Sequence, residues 1–403
     1  MRGLPKKETT KLWIVTEFFP PEESSTAYIL GEIANHMAQK YQVGVICGPE
    51  IYDKERRIDD KNSFELGKNI QVTRVKGVGT NKNSLLGKIL HFLFVGHRLC
   101  KALEKNVQEG DKVLLVTNPP TMIPIVSNLK KNKAFELNIL VHDIFPDNLK
   151  PAGLVLPQVA YHMLNRSFEK AYARADRLIA IGHDMKKVLK QKINSFKHYP
   201  EIIVIPNWAD LNIVEMQTTK GHDENITLQY AGNIGRVQGL KQMLKNVEVA
   251  SNKNLEFHLW GTGAKINEVK KYAAKHKMRN VVFHEPFLRS QQSSVLSQCD
   301  MALVCLAKGM YGLGVPSKIY NIMAAGKPVL YIGDPDSEIG VLVRNKKIGY
   351  VFSPSDTSGI TKFLKSLSPE RITELKEMGR RARKTAENEY TKKIILNKFS
   401  ETI

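Results

Sequence analysis

Cysteine is scarce in this sequence, and no run of residues is long and apolar enough to cross a membrane. The four cysteines among 403 residues are mostly far apart and form no CxxC pair. This spacing argues against a disulfide framework or a zinc site and is typical of a reducing compartment. No stretch of about 18 apolar residues occurs, so we expect no membrane-spanning helix. The first ten residues are polar and basic, and we expect no signal peptide.

Acidic residues are too few to balance the basic ones. The chain has 40 Asp and Glu against 60 Lys and Arg, which gives a net charge of +20. Such a charge implies an anionic partner: nucleic acid, anionic lipid or a phosphorylated small molecule. The lysines are spread over the whole chain, and no arginine-rich run, zinc-finger spacing or aromatic–basic RNA motif is present. We therefore expect no nucleic-acid partner.

Short β-branched runs alternate with amphipathic segments of helical length along the chain. The predicted strands cover residues 12–16, 42–47, 113–117, 139–143, 177–181, 202–206, 226–230, 256–260, 281–284, 301–305 and 328–332. Short, almost continuously apolar strands that alternate with helices are typical of parallel sheets covered on both faces. A polar stretch at 208–225 interrupts the alternation. The sequence therefore predicts an α/β protein with two doubly wound domains, 1–207 and 226–403, a linker at 208–225, and the terminal helices in the second domain.

The stretch YGLGVPSKIYNIMAAGKPVL, residues 311–330, joins a predicted strand to a predicted helix. Pro316 and Ser317 suit the first turn of that helix, and Gly326 suits its end. Ligands of parallel sheets bind at the carboxyl ends of the strands, and a helix N-terminus at that edge attracts anions. Lys318 adds a positive charge where the helix dipole disfavours one. A phosphate clamp explains this charge, and a solvated lysine at a helix start is the alternative.

Two more glycine loops follow predicted strands in the same half of the chain. YAGNIGRVQGL has three glycines around Arg236, and LWGTGAK has Gly261 and Gly263 around Thr262. Each loop alone is compatible with an ordinary tight turn. Three such loops in one sheet, two of them with a cation, predict a single diphosphate site.

In their order along the chain, these motifs resemble the retaining glycosyltransferases of family 4, which have the GT-B fold. FFPPEESS resembles the N-terminal loop of that family, and IPNWAD resembles its PNGVD motif at the domain crossover. YAGNIGRVQGL resembles the segment under the donor phosphates, and GVPSKIYNIMAAGKPVL resembles the donor helix. The last two together resemble a subgroup that builds bacterial surface polysaccharides. The resemblance implies two Rossmann-like domains facing a central cleft, with the acceptor in the N-terminal domain and the donor in the C-terminal one.

The resemblance also implies which residues meet the donor phosphates. The arginine and lysine that clamp the phosphates in the family match Asn233 and Gln238 here. We therefore expect Arg236, in the same loop, and Lys318 to stabilise the leaving diphosphate.

The two glutamates that bracket the donor in the family match Leu313 and Asn321 here. The amide of Asn321 is expected to hold the ribose hydroxyls without a charge. Phe287 is a candidate contact of the base, with a role as a core anchor as the alternative. The expected donor-binding residues are Asn233, Gly235, Gln238, Gly261, Phe287, Pro316, Ser317 and Asn321.

On the acceptor side, His142 and Asp143 end a predicted strand in ILVHDIFPD. Asp143 is a candidate to orient or deprotonate the acceptor hydroxyl, with His142 beside it. The alternative is a carboxylate that caps the turn before Pro146. The N-terminal loop supplies four candidate acceptor contacts, Glu22, Glu23, Ser24 and Ser25. Capping of the helix from residue 27 would explain the serines alone.

Metal and membrane are the remaining partners that the sequence bears on. Asp334-Pro335-Asp336 matches the metal-binding DxD of a different transferase fold, but a turn after a strand explains it better, and we expect no metal and no cofactor. Residues 84–105 have a wide apolar side with cations elsewhere, which is typical of an interfacial helix. Packing on the N-terminal sheet is the alternative. With the net charge, this segment predicts a cytoplasmic protein attached peripherally to the anionic inner face of the cell membrane.

The sequence therefore predicts a metal-independent retaining glycosyltransferase of the hexosyltransferase type. We expect a nucleotide-sugar donor, UDP-linked, and a lipid-linked saccharide acceptor in surface polysaccharide biosynthesis. Two alternatives remain open at this point. A GT-B-type nucleotide-sugar epimerase would need no acceptor, and a catalytically weak nucleotide-binding partner subunit would explain the missing glutamates.

Overall fold

A computed structural model describes residues 10–22, 24–49, 64–77, 85–197, 199–213 and 225–403. Its strands are β1 (Lys11–Thr16), β2 (Gln42–Cys47), β3 (Gln71–Arg74), β4 (Lys112–Val116), β5 (Glu136–Val141), β6 (Arg177–Ala180), β7 (Glu201–Val204), β8 (Ile226–Ala231), β9 (Leu255–Trp260), β10 (Val281–His284), β11 (Met301–Cys305), β12 (Val329–Ile332) and β13 (Gly349–Phe352). Within the described residues they form two sheets, ordered β3-β2-β1-β4-β5-β6-β7 and β10-β9-β8-β11-β12-β13. All neighbouring strands are parallel.

Helices connect the strands and surround both sheets. They are α1 (Ser25–Met37), α2 (Leu85–Asn106), α3 (Met122–Leu129), α4 (Gln158–Ala173), α5 (His183–Ile193), α6 (Leu240–Ala250), α7 (Ile266–Lys275), α8 (Gln292–Ser297), α9 (Lys318–Ala324), α10 (Glu338–Lys346), α11 (Thr357–Lys365), α12 (Ile372–Glu389) and α13 (Lys392–Thr402). We call the first sheet with its helices the first unit, and the second sheet with its helices the second unit. The predicted α/β class with two parallel sheets is confirmed. None of the helices in the described part of the chain has the length and apolarity needed to span a bilayer.

The central strands are buried on both faces, as their nearly continuous apolar sequences predict. In β11, Leu303 belongs to one apolar cluster and the next residue, Val304, belongs to another. The two clusters lie on opposite faces of the second sheet because successive strand side chains point to opposite sides. Apolar burial on both faces makes each sheet a rigid platform for the loops at its carboxyl edge.

The last helix belongs with the first unit, whereas the sequence-based division assigned the terminal helices to the second domain. Ile395, Leu396 and Phe399 of α13 are part of the first unit's core, and α13 packs against α1. The Tyr41 hydroxyl donates a hydrogen bond to the carbonyl of Ile403 at 2.8 Å. The chain crosses back after α12 because the apolar side of α13 gains burial there. Residues 214–224 of the predicted linker lie outside the described residues.

The loop between β11 and α9 reaches from the second unit to the first. The amide of Ile144 donates a hydrogen bond to the carbonyl of Leu313 at 3.1 Å, and Asp143 forms an antiparallel bridge with Gly314. Leu313 and Met310 are buried in the core of the first unit. These contacts bring the carboxyl edges of the two sheets together.

Candidate active site

A cavity of about 810 Å³ lies between the carboxyl ends of the two sheets. This is where open parallel sheets bind ligands, and the volume is in the range of small-molecule sites. The predicted site residues that line it are Glu22, Ser24, Ser25, His142, Asp143, Asn233, Gln238, Phe287, Pro316, Ser317, Lys318 and Asn321. The structure therefore brings residues from both units to one place.

Arg236 does not line the cavity, although we expected it to stabilise the diphosphate. Its side chain is exposed to solvent. The next residue, Val237, packs against the core of the first unit, and its carbonyl accepts a hydrogen bond from the amide of Ala307 at 2.7 Å. Because Val237 turns inward at this point of the loop, Arg236 turns outward.

The other predicted residues outside the cavity lining are glycines, and Glu23 lies outside the described residues. Gly261 has a φ of +123°, and a Cβ there would lie 2.3 Å from the carbonyl oxygen of Gly232. Its role is thus to allow two glycine loops to approach each other. A Cβ on Gly235 would lie 2.7 Å from Oε1 of Gln238, so this glycine makes room for a cavity side chain.

Lys318 is a cation that the second unit contributes to the cavity. Its Nζ atom is buried without a hydrogen-bond partner among the described residues. Nζ lies 3.6 Å from the centroid of the Tyr230 ring, whose face attracts a cation. Burial lowers the pKa of Lys318 to about 8. α9 is only seven residues long, so the positive charge here comes mainly from Lys318 and only in small part from a helix dipole.

His142 and Asp143 approach from the first unit. Both backbone amides donate hydrogen bonds to Oγ1 of Thr117, at 3.2 and 3.3 Å. Burial lowers the pKa of His142 to about 4 and raises the pKa of Asp143 to about 6. At neutral pH the site therefore holds a neutral imidazole beside a mostly ionised carboxylate. A Cβ on Gly314 would lie 3.2 Å from Oδ1 of Asp143, so this carboxylate directly faces the loop before Lys318.

Three polar atoms that are buried without a partner in the described part of the chain line this one cavity. They are Nε2 of His142, Oε1 of Gln238 and Nζ of Lys318. Buried polar groups in proteins are normally paired, since an unpaired one costs about 1–3 kcal/mol. Donors and acceptors left open in a cavity are typical of a site whose ligand supplies the missing partners.

Asn321 lines the cavity, but both ends of its amide are engaged with the protein. Oδ1 accepts a hydrogen bond from the amide of Asp210 at 3.1 Å, and Nδ2 donates one to Oε1 of Gln292 at 3.0 Å. We expected this amide to be open to ribose hydroxyls, but in the structure both of its ends already have protein partners.

Arg289 is a cavity residue that the sequence did not reveal. Its guanidinium lies 3.4 Å from the centroid of the Tyr28 ring and donates a hydrogen bond to Oδ2 of Asp210 at 2.9 Å. Arg289 belongs to the second unit and Tyr28 to α1 of the first, and all three residues line the cavity. No motif marks this cluster, because its members meet only in the tertiary structure.

Several candidates have local structural roles in addition to their position. Ser24 is the N-cap of α1, and its Oγ accepts a hydrogen bond from the amide of Ala27 at 3.1 Å. The rings of Phe287 and Trp260 pack edge-to-face, 6.3 Å apart.

In the predicted turn after β12, Oδ1 of Asp334 accepts a hydrogen bond from the amide of Asp336 at 2.9 Å. A cluster of three or more His, Cys, Asp or Glu side chains suited to a metal is not found among the described residues. Metal independence stays a prediction.

Comparison with known sequences gives a consistent picture. Residues 213–385 match the family model described as glycosyl transferases group 1. The probable glycosyltransferase WbjE of Pseudomonas aeruginosa is 28% identical over 405 residues, which cover 98% of this chain and 97% of the relative. WcaI of Escherichia coli K12, named as a colanic acid biosynthesis glycosyl transferase, is 23% identical over 354 residues, covering 80% and 83%.

Solved structures resemble this chain over its full length. Sucrose-phosphate synthase from Thermosynechococcus elongatus superposes with a TM-score of 0.71 at 13% identity and covers 98% of both chains. Anabaena HepE in complex with UDP superposes with a TM-score of 0.66 at 14% identity, covering 98% of this chain and 99% of its own. At such low identities the likeness concerns the fold.

Proposed function

Since this chain is a GT-B glycosyltransferase whose residues 213–385 form a glycosyl transferases group 1 domain, we propose that it moves a sugar from a UDP-sugar to a lipid-linked saccharide with retention of configuration. The observation that carries the proposal is the cavity between the sheets, where three buried polar atoms have no hydrogen-bond partner among the described residues. A relative named for colanic acid biosynthesis and a structural neighbour in complex with UDP support polysaccharide synthesis and a UDP-linked donor.

The donor diphosphate would lie against Lys318. Its ammonium is held by the Tyr230 ring and shielded from water, so its charge is weakly screened. When the bond from the sugar to the diphosphate breaks, negative charge grows on the leaving oxygen, and a preorganised cation stabilises that charge. Gln238 would donate a neutral hydrogen bond to the diphosphate through Nε2, while its open Oε1 would accept one from a hydroxyl of the donor. A bound diphosphate would in turn raise the pKa of Lys318 and keep it charged.

The acceptor hydroxyl would enter from the first unit, beside His142 and Asp143. In a retaining transfer the hydroxyl oxygen bonds to the anomeric carbon on the face that the diphosphate leaves. The hydroxyl proton passes to the departing phosphate oxygen or to the Asp143 carboxylate. With a pKa of about 6, Asp143 is mostly ionised at neutral pH and yet basic enough to hold a proton.

Exposed apolar side chains in the first unit support a lipid-linked acceptor. Val155, just before α4, is 82% exposed, and Val159 and Met163 in the first half of α4 are 74% and 71% exposed. Pro151, just before them, lies 3.6 Å from the position of a Cβ on Gly309, whose neighbour Met310 lines the cavity. An apolar surface of this kind marks a site of contact with a membrane or a protein.

α2 has a buried side and exposed apolar residues, and is thus compatible with both interpretations of residues 84–105. Val95, Leu99 and Leu103 are buried in the core of the first unit, whereas Leu93 and Phe94 are exposed. Adjacent helices α2, α3 and α4 pack side by side. Exposed cations nearby, including Lys150, Arg98 and Lys101, would favour an anionic lipid surface.

A thermal-shift screen against UDP-, GDP-, TDP- and ADP-sugars tests the donor assignment. We expect a UDP-sugar to raise the apparent unfolding temperature in proportion to the logarithm of its concentration, and Lys318→Ala to reduce that rise. Turnover is then measured with and without lipid-linked saccharides, and the anomeric configuration of the product is determined. Failure of every sugar nucleotide to bind, or consumption of the donor into a free epimer without an acceptor, would overturn the proposal.

A further inference from the structure

Beside the cavity, the two units also meet at the N-termini of α5 and α10. The carboxylate of Glu338, the first residue of α10, accepts a hydrogen bond from the amide of His183, the first residue of α5, at 2.6 Å. The carboxylate of Asp184 accepts one from the amide of Glu338 at 3.0 Å. First-turn amides have no partner within their own helix. Each helix is therefore capped by a carboxylate of the other unit.

The bond from Glu338 to Asp184 is partly shielded from water, whereas the bond from His183 to Glu338 is exposed. Asp184 is 4% exposed, and the Glu338 side chain is 17% exposed. Hydrogen bonds with an ionised acceptor are stronger than neutral ones, and removal of one partner leaves a buried group unpaired. Gly182 permits the close approach, because a Cβ there would lie 3.1 Å from Cβ of Glu338. The contact thus contributes directly to the closeness of the two units.

The same contact reaches the loop that leads to Lys318. Gly312 has a φ of +65°, and a Cβ there would lie 2.9 Å from the carbonyl oxygen of Asp184. The neighbouring Gly314 pairs with Asp143 and lines the cavity. α5 therefore lies in close contact with the loop at residue 312, ahead of Lys318.

We propose that Asp184 and Glu338 are positioning residues, which hold the two units in the arrangement that completes the cavity. Neither residue lines the cavity, so they act through residues 312–314 and the approach of the units. The expected effect on turnover rests on the proposed function, whereas the expected effect on the distance between the units does not.

Substitutions at His183 form a matched pair that tests one hydrogen bond. Proline is accepted at the first residue of a helix and lacks the amide hydrogen that Glu338 accepts. The preceding Gly182 is extended, with φ −161° and ψ 155°, as a residue before proline prefers. His183→Ala keeps the amide hydrogen and removes only the ring. Glu338→Ala removes the acceptor, and Glu338→Gln keeps an oxygen that can accept.

The distance between the units can be measured in the full chain by double electron–electron resonance between two nitroxide labels. Glu104→Cys in the first unit and Lys253→Cys in the second provide exposed attachment sites, while the four native cysteines are buried. For the unsubstituted protein, His183→Ala and Glu338→Gln, we expect the distance between the two labels to match the arrangement in the structure, in which the units are in contact. For His183→Pro and Glu338→Ala we expect the ratio of long to short distances to rise about tenfold, as for loss of one charged hydrogen bond.

Kinetics provide the second readout. Because residues of both units line the cavity, a donor bound there would favour the arrangement in which the units are together, so His183→Pro and Glu338→Ala should raise the KM for the donor about tenfold and lower kcat much less. Asp336→Asn, which affects an ion pair within the second unit, serves as the control. Unchanged distances in His183→Pro and Glu338→Ala would overturn the proposal, as would equal opening in His183→Ala and His183→Pro. If Glu338→Ala does not fold, the two His183 variants still decide.

Discussion

The Nζ atom of Lys318 lies 3.6 Å from the centroid of the Tyr230 ring, against its face. The Tyr230 hydroxyl donates a hydrogen bond to the carbonyl of Asn233 at 2.6 Å, which fixes the ring within the glycine loop. The lysine is thus held in one position although no carboxylate among the described residues pairs with it. A cation that is positioned without being neutralised is suited to an anionic ligand.

Replacement of Lys318 by alanine is expected to lower turnover by about two orders of magnitude, which is typical for loss of one preorganised electrostatic donor. The fold should persist, because removal of a buried, unpaired charge relieves a desolvation cost. Turnover and circular dichroism are measured together, with Lys308→Ala on the exposed part of the same loop as the control. A wild-type rate in Lys318→Ala would refute the phosphate role.

The pH dependence of kcat/KM should be bell-shaped, with limbs near pH 6 and pH 8. Asp143, with its pKa raised to about 6, loses its charge as the pH falls through that value. Lys318, with its pKa lowered to about 8, loses its charge as the pH rises through that value. We expect Asp143→Asn to lower kcat and abolish the acidic limb, and Lys318→Ala to abolish the alkaline limb. Limbs that persist in both variants would assign the titration to other groups.

Substitution of Asn321 separates a donor contact from a structural one. Asn321→Ala removes two hydrogen bonds, to Asp210 and Gln292, and should weaken donor binding several-fold while lowering the free energy of unfolding by about 1–3 kcal/mol. Asn321→Glu should be tolerated, since a carboxylate can accept from the Asp210 amide and a rotated Gln292 amide can donate. Titration of the matched nucleotide and denaturant unfolding give both quantities. Equal donor affinities in all three proteins would show that the ribose assignment is wrong.

Binding to vesicles should depend on anionic lipid, on salt and on the start of α4. We expect sedimentation with vesicles that contain phosphatidylglycerol at low salt and much less with neutral vesicles. Val159→Asp and Met163→Asp should reduce this binding. Val249→Asp, at an equally exposed valine of the second unit, should leave it unchanged. Equal recovery with neutral and anionic vesicles would contradict the prediction.

Activity is expected to survive a chelator. Lys318 supplies the positive charge opposite the leaving diphosphate. The Asp334 carboxylate accepts a hydrogen bond from the amide of Asp336 within its own turn. Turnover is measured in EDTA and again after addition of Mg²⁺ or Mn²⁺. Loss of activity in EDTA that either metal restores would contradict metal independence.

Local patterns predicted most of the strands because buried strands of parallel sheets have continuous apolar sequences. The strands that the pattern missed, β3 and β13, lie at the edges of their sheets. Their residues are half-buried or exposed, so QVTR and GYVF carry no long apolar run. Edge position is a tertiary property, and a short strand there resembles a loop in sequence.

The amino-acid sequence placed the glycine loops at the carboxyl ends of strands, because strand length and turn residues are local properties. It could not tell the directions of side chains within those loops. Arg236 and Lys318 were equal candidates, yet packing of Val237 turns Arg236 to solvent, and Tyr230 holds Lys318 in the cavity. The Arg289–Tyr28 contact has the same origin, since it forms only when the two units approach. The sequence shows which residues carry groups suited to binding and catalysis. Only the packing of one sheet edge against the other brings those groups to one cavity.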